Sequence, residues 1–132
     1  MAAISIAKHL GLTAAAITRN KNKIKALRNN GAYYVIIDNG QIASEVKQIF
    51  SIGHDDCGGA NCILELIGTT TLLDSLYAAV YKGIICNTGV LRNKSTIENF
   101  EPLLAIPSTV KLTVYKSENI TAANSTKALN IL

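Results

Sequence analysis

Residues 12–27, LTAAAITRNKNKIKAL, decide the fold of this chain. A short apolar run that ends at Ile17 gives way at Thr18 and Arg19 to a basic segment. The run predicts a strand, and the segment after it predicts a helix. A strand that leads into a helix start, with cations at the junction, is how α/β proteins hold phosphorylated nucleotides. The stretch therefore predicts a phosphate-binding strand end in an α/β protein.

The positive charge of the chain is concentrated in its first third. Residues 1–37 carry six basic side chains and no acid, whereas the remaining 95 residues carry seven bases and nine acids. A local positive field of this kind attracts phosphates. The expected partner is a nucleotide. Nucleic acid is the weaker alternative and is not expected, because the cations are few and no aromatic side chains that stack on bases lie among them.

Length and composition favour one soluble α/β domain. The 132 residues are rich in aliphatic side chains and poor in aromatic ones, with no Trp and two Phe, which excludes a disordered chain. No apolar run approaches the roughly 18 residues that a membrane span needs. No basic region followed by a long apolar core marks a signal peptide. We therefore expect a cytoplasmic protein with no membrane partner.

The three cysteines, Cys57, Cys62 and Cys86, argue against structural disulfides and structural zinc. Three cysteines cannot all pair within the chain, and no Cys-x-x-Cys occurs. Cys62 and Cys86 lie in apolar runs and are predicted to be buried thiols in a reducing compartment. Residues 54–57, HDDC, hold metal-ligand types, but adjacent residues of one loop do not easily converge on an ion. We predict no metal site.

Strands and helices are predicted to alternate along most of the chain, which indicates an α/β, doubly wound, mostly parallel sheet. A parallel sheet covers both faces of its strands, so the first strand is predicted to be buried on both sides. The last strand, VKLTVY, alternates in polarity and is predicted to be a half-exposed edge strand. The predicted strands lie at residues 13–18, 33–38, 62–67, 84–87 and 110–115. The predicted helices lie at residues 2–10, 20–30, 42–50, 70–81 and 101–106, with a short one within 119–132.

Small and polar residues collect at the predicted carboxyl ends of the strands. Ligands of doubly wound sheets bind beyond those ends. The ends are Thr18-Arg19, Asp38-Asn39, Ile67-Gly68-Thr69 and Asn87-Thr88-Gly89.

Several segments, taken in order, resemble the medium-chain dehydrogenase/reductase superfamily, and most closely its quinone oxidoreductase-like, zinc-independent branch. The order and spacing of the segments carry this resemblance, which extends over nearly all of the chain. One departure is that family members often carry paired glycines before the strand at Ile84, whereas this chain has only Gly83. The segments are IAKHLG, TRNKNKIKALRNNGA, VIID, ILELIG, GIICNTGVL and IPSTVKLTVY.

The resemblance implies that residues 1–132 form a single, partial Rossmann nucleotide-binding domain. In the family, a strand and a glycine-rich loop precede the helix that matches residues 1–11, and neither has a counterpart here. Because the family's strand is central in the sheet, its absence predicts a gap between the strands at residues 13–18 and 62–67. Unpaired backbone groups there are costly, so either the two strands close directly or another chain fills the gap. We therefore expect a homo-oligomer, formed at that gap or through the edge strand between Val110 and Tyr115, where family members pair sheets into dimers.

The resemblance also implies the dinucleotide cofactor NADP. A NAD-specific Rossmann domain places an acid at the strand end where this chain has Thr18 and Arg19. A guanidinium instead suits a 2′-phosphate, which it binds as a bidentate fork, and similar family members use Arg and Lys there. The predicted contacts at this strand end are Thr18, Arg19, Asn20 and Lys23.

The resemblance places two further strand ends beside the nicotinamide half of the cofactor. Small residues there allow close backbone approach, although ordinary strand-to-helix turns explain the glycines equally well. The predicted contacts are Ile67, Gly68, Thr69, Thr88, Gly89 and Val90. No residue is predicted to be catalytic.

The implied function is hydride transfer from NADPH to a quinone or enone, with this chain as the NADP(H)-binding domain. The chain alone is expected to be inactive, because the family's catalytic domain has no counterpart in it. The alternative is a non-catalytic dinucleotide-binding or assembly module, since without the glycine loop the pyrophosphate loses its main anchor.

Overall fold

The computed structural model describes residues 1–51, 58–89 and 96–116. Helices and strands alternate through them, and the predicted α/β class is confirmed. The helices are α1 Ala2–His9, α2 Ile24–Asn29, α3 Ile42–Phe50, α4 Leu72–Tyr77 and α5 Pro102–Ala105. The strands are β1 Ala15–Thr18, β2 Tyr34–Ile37, β3 Ala60–Glu65, β4 Ala79–Asn87 and β5 Lys111–Val114. A 3₁₀ turn, Lys21–Lys23, precedes α2.

The chain divides into two compact units, Met1–Ala60 and Asn61–Leu132. The strands form a two-stranded sheet, β1-β2, and a three-stranded sheet in the order β3-β4-β5. That the two units make up one domain stays a prediction.

In the first unit, β1 and β2 pair in parallel, with Thr18 opposite Ile37. Gly11 ends α1 with a φ of +70°, a left-handed conformation that glycine adopts without cost. Helix α3 buries Ile42 and Val46, as its apolar spacing predicts. The buried apolar side chains described in this unit are Ala16, Ala32, Ile36, Ile42 and Val46.

In the second unit, β4 pairs in parallel with β5, and β5 lies at one edge of the sheet. The predicted edge strand is therefore confirmed. Its residues are exposed except for Leu112, which is half-buried. The core of this unit consists of Leu72, Leu76, Ala79 and Ile85, with Ile63, Ile97, Ile106, Val110 and Leu112 packed against it.

The end of the helix predicted over residues 70–81 is wrong, because its last turn is a strand. Helix α4 stops at Tyr77, and β4 begins at Ala79 and runs to Asn87. Ala78 and Ala79 are both buried, and Ala79 belongs to the core beside Ile85. Tertiary burial therefore overrides a helical apolar spacing in this segment.

Two predictions of burial are also wrong. Ile17 in β1 is 45% exposed, and Cys62 in β3 is exposed, whereas Cys86 is half-buried. Successive side chains of a strand point to opposite faces. In each strand the neighbouring residue, Ala16 or Ile63, takes the inner position, so the apolar runs are covered on one face only.

Some predictions fall outside the described residues. They concern the HDDC segment at residues 54–57, Val90, and the helix within residues 119–132. No helix in the described part of the chain has the length and apolar character to cross a membrane.

Candidate nucleotide-binding site

The carboxyl end of β1 forms a tight polar turn. The Asn20 backbone N–H donates to Thr18 Oγ1 at 3.2 Å, and the Asn22 N–H donates to Asn20 Oδ1 at 2.9 Å. Asn20 thereby caps the 3₁₀ turn, because short polar side chains accept hydrogen bonds from the free N–H groups of a helix start. The Lys23 N–H completes the turn by donating to the Asn20 carbonyl at 3.0 Å. This local network places Arg19 at the turn's beginning.

Arg19 forms an ion pair that was not predicted from the sequence. Its Nε donates to Asp38 Oδ2 over 2.6 Å. The ladder of β1 and β2 continues past the strands, because the Asp38 N–H donates to the Thr18 carbonyl at 2.9 Å. Arg19 and Asp38 are thus side by side at adjacent strand ends. The Arg19 side chain is 53% exposed and that of Asp38 only 5%.

Asp38 engages only the Nε of the Arg19 guanidinium. Neither Nη nitrogen of Arg19 donates a hydrogen bond to a described residue, so four N–H groups of the guanidinium have no acceptor among those residues. Arginine presents such donors in a planar fork that matches the oxygens of a phosphate. Lys23 is exposed on the adjoining 3₁₀ turn. The donor set at this strand end therefore fits an anionic group.

The second unit contains a buried acid at the end of β3. Glu65 is 5% exposed, although it interrupts an otherwise apolar stretch of the sequence. Its Oε1 accepts hydrogen bonds from the N–H groups of Ile67 and Gly68, at 2.8 and 3.2 Å, and from Thr71 Oγ1 at 2.9 Å. Its Oε2 accepts from the Ser75 hydroxyl. A buried carboxylate is tolerated because these donors satisfy it.

Gly68 lies in the turn whose N–H groups donate to Glu65. Its φ of +102° is a conformation that residues with a side chain rarely adopt. Its carbonyl accepts from the N–H groups of Thr71 and Leu72, both at 3.0 Å. The turn from β3 into α4 is therefore fixed on both sides, by its own backbone and by Glu65.

Gly89, in the predicted nicotinamide half, lies against the backbone at the end of β3. A Cβ at this position would lie 1.8 Å from the Leu66 carbonyl oxygen, so no side chain fits. The Thr88 N–H donates to the Glu65 carbonyl at 2.9 Å. The structure therefore brings together the predicted residues Gly68, Thr88 and Gly89 at the ends of β3 and β4.

Two further features line this end of the second unit. Asn87 Oδ1 is buried and has no hydrogen-bond donor among the described residues. A shallow groove of about 390 Å³ is lined by Thr69, Thr70, Thr96, Ile97 and Glu98.

In the first unit, a separate groove of about 570 Å³ is lined by Ser5, Lys8, His9, Asn29 and Asn30.

The sequence carried weak signals for the two acids that were missed. Asp38 is the first acid of the chain and ends an aliphatic strand, and Glu65 is the one acid inside ILELIG. A lone acid in an apolar strand next to a glycine is a candidate for a buried acceptor, because only a satisfied carboxylate survives burial.

A family model for zinc-binding dehydrogenases matches residues 1–127. The chain belongs to the zinc-binding dehydrogenase family. The match confirms the resemblance to medium-chain dehydrogenases/reductases. In the described part of this family member, no three His, Cys, Asp or Glu side chains are grouped as a metal ion would require. No curated protein matches the chain significantly.

Solved structures share the fold of this zinc-binding dehydrogenase family member. AibC has a TM-score of 0.74 at 24% identity, over 97% of this chain and 34% of its own. Escherichia coli quinone oxidoreductase, in complex with NADPH, has a TM-score of 0.74 at 18% identity, and the match covers 98% of this chain and 39% of that protein. The quinone oxidoreductase of Pseudomonas syringae pv. tomato has a TM-score of 0.70 at 20% identity, and the match covers 86% of this chain and 34% of that protein.

These similarities confirm the Rossmann-like α/β fold. The chain spans 34–39% of the length of these three structures.

Proposed function

We propose that the chain is the NADP(H)-binding domain of an oxidoreductase that reduces a quinone or enone. Membership of a dehydrogenase family supports the oxidoreductase class. The Escherichia coli quinone oxidoreductase that shares the fold was solved with NADPH, and so was a mycobacterial protein. When bound, the reduced nicotinamide supplies a hydride, and the protein's contribution is to bind and orient it.

The guanidinium of Arg19, whose side chain is 53% exposed, carries this proposal. It stands at the end of β1, where an acid would repel a ribose 2′-phosphate and a guanidinium binds one. The four N–H groups on its Nη nitrogens have no acceptor in the described residues. We assign the 2′-phosphate to Arg19, with Lys23 as a second cation and with Thr18 and Asn20 forming the turn that presents them.

In the second unit we propose that the ends of β3 and β4 contact the nicotinamide half. The residues are Ile67, Gly68, Thr69, Thr88, Gly89 and Val90. Glycine at 89 is already required by its packing against Leu66, and the conformation of Gly68 requires glycine there. The glycines therefore support this assignment less than Arg19 supports the other.

The test compares two nucleotides that differ by one phosphate. Isothermal titration should show that the chain binds 2′,5′-ADP more tightly than 5′-AMP. Arg19→Gln should abolish that preference. Arg28→Gln, which removes the same charge from an exposed position on α2, should leave it within about twofold because exposed charges are screened. Equal affinity of the wild-type chain for both nucleotides would sink the proposal.

We further propose that the 132-residue chain does not reduce quinones by itself. Hydride transfer needs the acceptor held in contact with the nicotinamide, and no residue of this chain is assigned to hold it. NADPH oxidation with a quinone acceptor should match the rate without protein. Turnover proportional to the chain's concentration would contradict this.

A further inference from the structure

We propose that Asp38 is the positioning residue that aims the Arg19 fork at the ribose 2′-phosphate. This inference rests on the proposed NADP(H) function. It assigns to Asp38 a role in coenzyme selectivity, although its own charge has the wrong sign to attract a phosphate.

The first part of the argument is which nitrogen of Arg19 is engaged. Asp38 Oδ2 accepts from Nε, the nitrogen nearest the side-chain stem, at 2.6 Å. Because the guanidinium is planar, a bond at Nε restricts the orientation of the whole plane. The Nη nitrogens at the far end of this plane have no acceptor among the described residues.

The second part is that Asp38 is itself held. The Gly40 N–H donates to Asp38 Oδ1 at 3.0 Å, and the Asp38 N–H donates to the Thr18 carbonyl at 2.9 Å. The Asp38 side chain is 5% exposed, against 53% for Arg19. The pair therefore differs from a surface salt bridge between two flexible side chains. One partner is fixed by the fold and orients the other.

The third part is that the two possible roles of Asp38 predict opposite changes in anion affinity when its carboxylate is removed. A carboxylate close to a bound phosphate repels it, so removing the carboxylate strengthens anion binding if Asp38 is only a neighbouring charge. If Asp38 aims Arg19, removing it releases an exposed side chain that must be ordered again on binding. The sign of the change in affinity separates the two roles.

The experiment is titration of wild-type and Asp38→Asn chains with 2′,5′-ADP and with 5′-AMP. Asparagine retains a carbonyl that accepts from Gly40, but it loses the charge that holds Nε. We expect the affinity for 2′,5′-ADP to fall by roughly 2- to 10-fold, the cost of ordering one side chain. The affinity for 5′-AMP should not fall. Equal or tighter binding of 2′,5′-ADP overturns the positioning role.

A charge-preserving variant and a double variant separate aim from folding. Asp38→Glu keeps the net charge but moves the carboxylate by one methylene, so 2′,5′-ADP should again bind more weakly. In an Arg19→Gln background, Asp38→Asn should no longer weaken binding. A structural role alone would give the same loss in both backgrounds.

If the wild-type chain does not prefer 2′,5′-ADP over 5′-AMP, the proposed function fails and this inference fails with it. A selective wild type with an unaffected Asp38→Asn variant overturns the inference alone.

Discussion

At the scale of single residues, Lys82 shows the cost of a missing glycine. Its φ of +62° lies in the left-handed region, inside β4 and directly before Gly83. Its N–H donates to Thr109 Oγ1 at 2.9 Å, and Thr109 itself has a φ of +70°. The paired glycines common in the family would occupy this position without strain. The conformation is thus imposed by the fold on a side chain that disfavours it.

We predict that Lys82→Gly stabilises the chain. The left-handed conformation costs about 1–2 kcal/mol for a residue with a Cβ. Glycine loses more backbone entropy on folding, and the Lys82 ammonium, 5.2 Å from the Tyr81 ring centre, would be lost. The net gain should be about 0.5–1 kcal/mol in unfolding free energy, measured by chemical denaturation. Lys111→Gly, at an exposed strand position without positive φ, should destabilise instead, and a gain in both variants would contradict the explanation.

At the scale of elements, Glu65 links the end of β3 to the start of α4. Its carboxylate collects two backbone N–H groups and two hydroxyls within ten residues of sequence. An apolar replacement would leave these buried donors without an acceptor, which costs more than a hydrogen bond contributes. The connection between strand and helix is thus held by one side chain.

The prediction concerns two replacements of Glu65. Glu65→Gln retains an acceptor for Ile67, Gly68 and Thr71 and should cost about 1 kcal/mol. Glu65→Leu should cost about 3 kcal/mol or more because several donors lose their partner. Amide hydrogen exchange at Ile67 and Gly68 should accelerate strongly in the Leu variant and weakly in the Gln variant. Glu98→Leu, at an exposed acid, serves as the control. Equal exchange in all three variants would show that Glu65 does not hold the turn.

The elements show how far the sequence could predict this protein. Helix α3 has its predicted bounds, because Ile42, Val46, Ile49 and Phe50 give a helical spacing and Asn39-Gly40 marks a turn before it. The end of α4 could not be predicted, because the helical spacing continues past Tyr77 and only the burial of Ala78 and Ala79 explains the strand.

The candidate site was also predictable only where local sequence determines it. Arg19 was found because local chemistry at a strand end marks it. Its partner Asp38 lies 19 residues away and is brought to it only by the parallel pairing of β1 and β2. The donors of Glu65 likewise depend on a turn whose course the sequence did not specify.

At the scale of the whole molecule, the proposed association of copies concerns β5. This strand lies at an edge of its sheet, and exposed backbone groups at an edge are a template for pairing with another chain. Val114 is 58% exposed and Tyr115 is 49% exposed. The strand thus offers apolar side chains beside an edge that no other described strand pairs with.

We predict that Val114→Lys weakens self-association, because a charge on an edge strand opposes pairing. Sedimentation equilibrium should show a shift toward monomer. Leu103→Lys introduces the same charge at a residue of α5 that is 87% exposed, and it should leave the association unchanged. A wild-type chain that is monomeric at high concentration, or an equal effect of both variants, would contradict association through β5.

The pairing of Arg19 with Asp38 also restricts how coenzyme choice could be altered. An acid placed at residue 19, the simplest change toward binding a ribose hydroxyl, would put two carboxylates side by side at the strand ends, and like charges at that distance repel. A single exchange at residue 19 would therefore lose the ion pair and put a repulsion in its place. A change of coenzyme choice at this strand end therefore requires the replacement of residues 19 and 38 together.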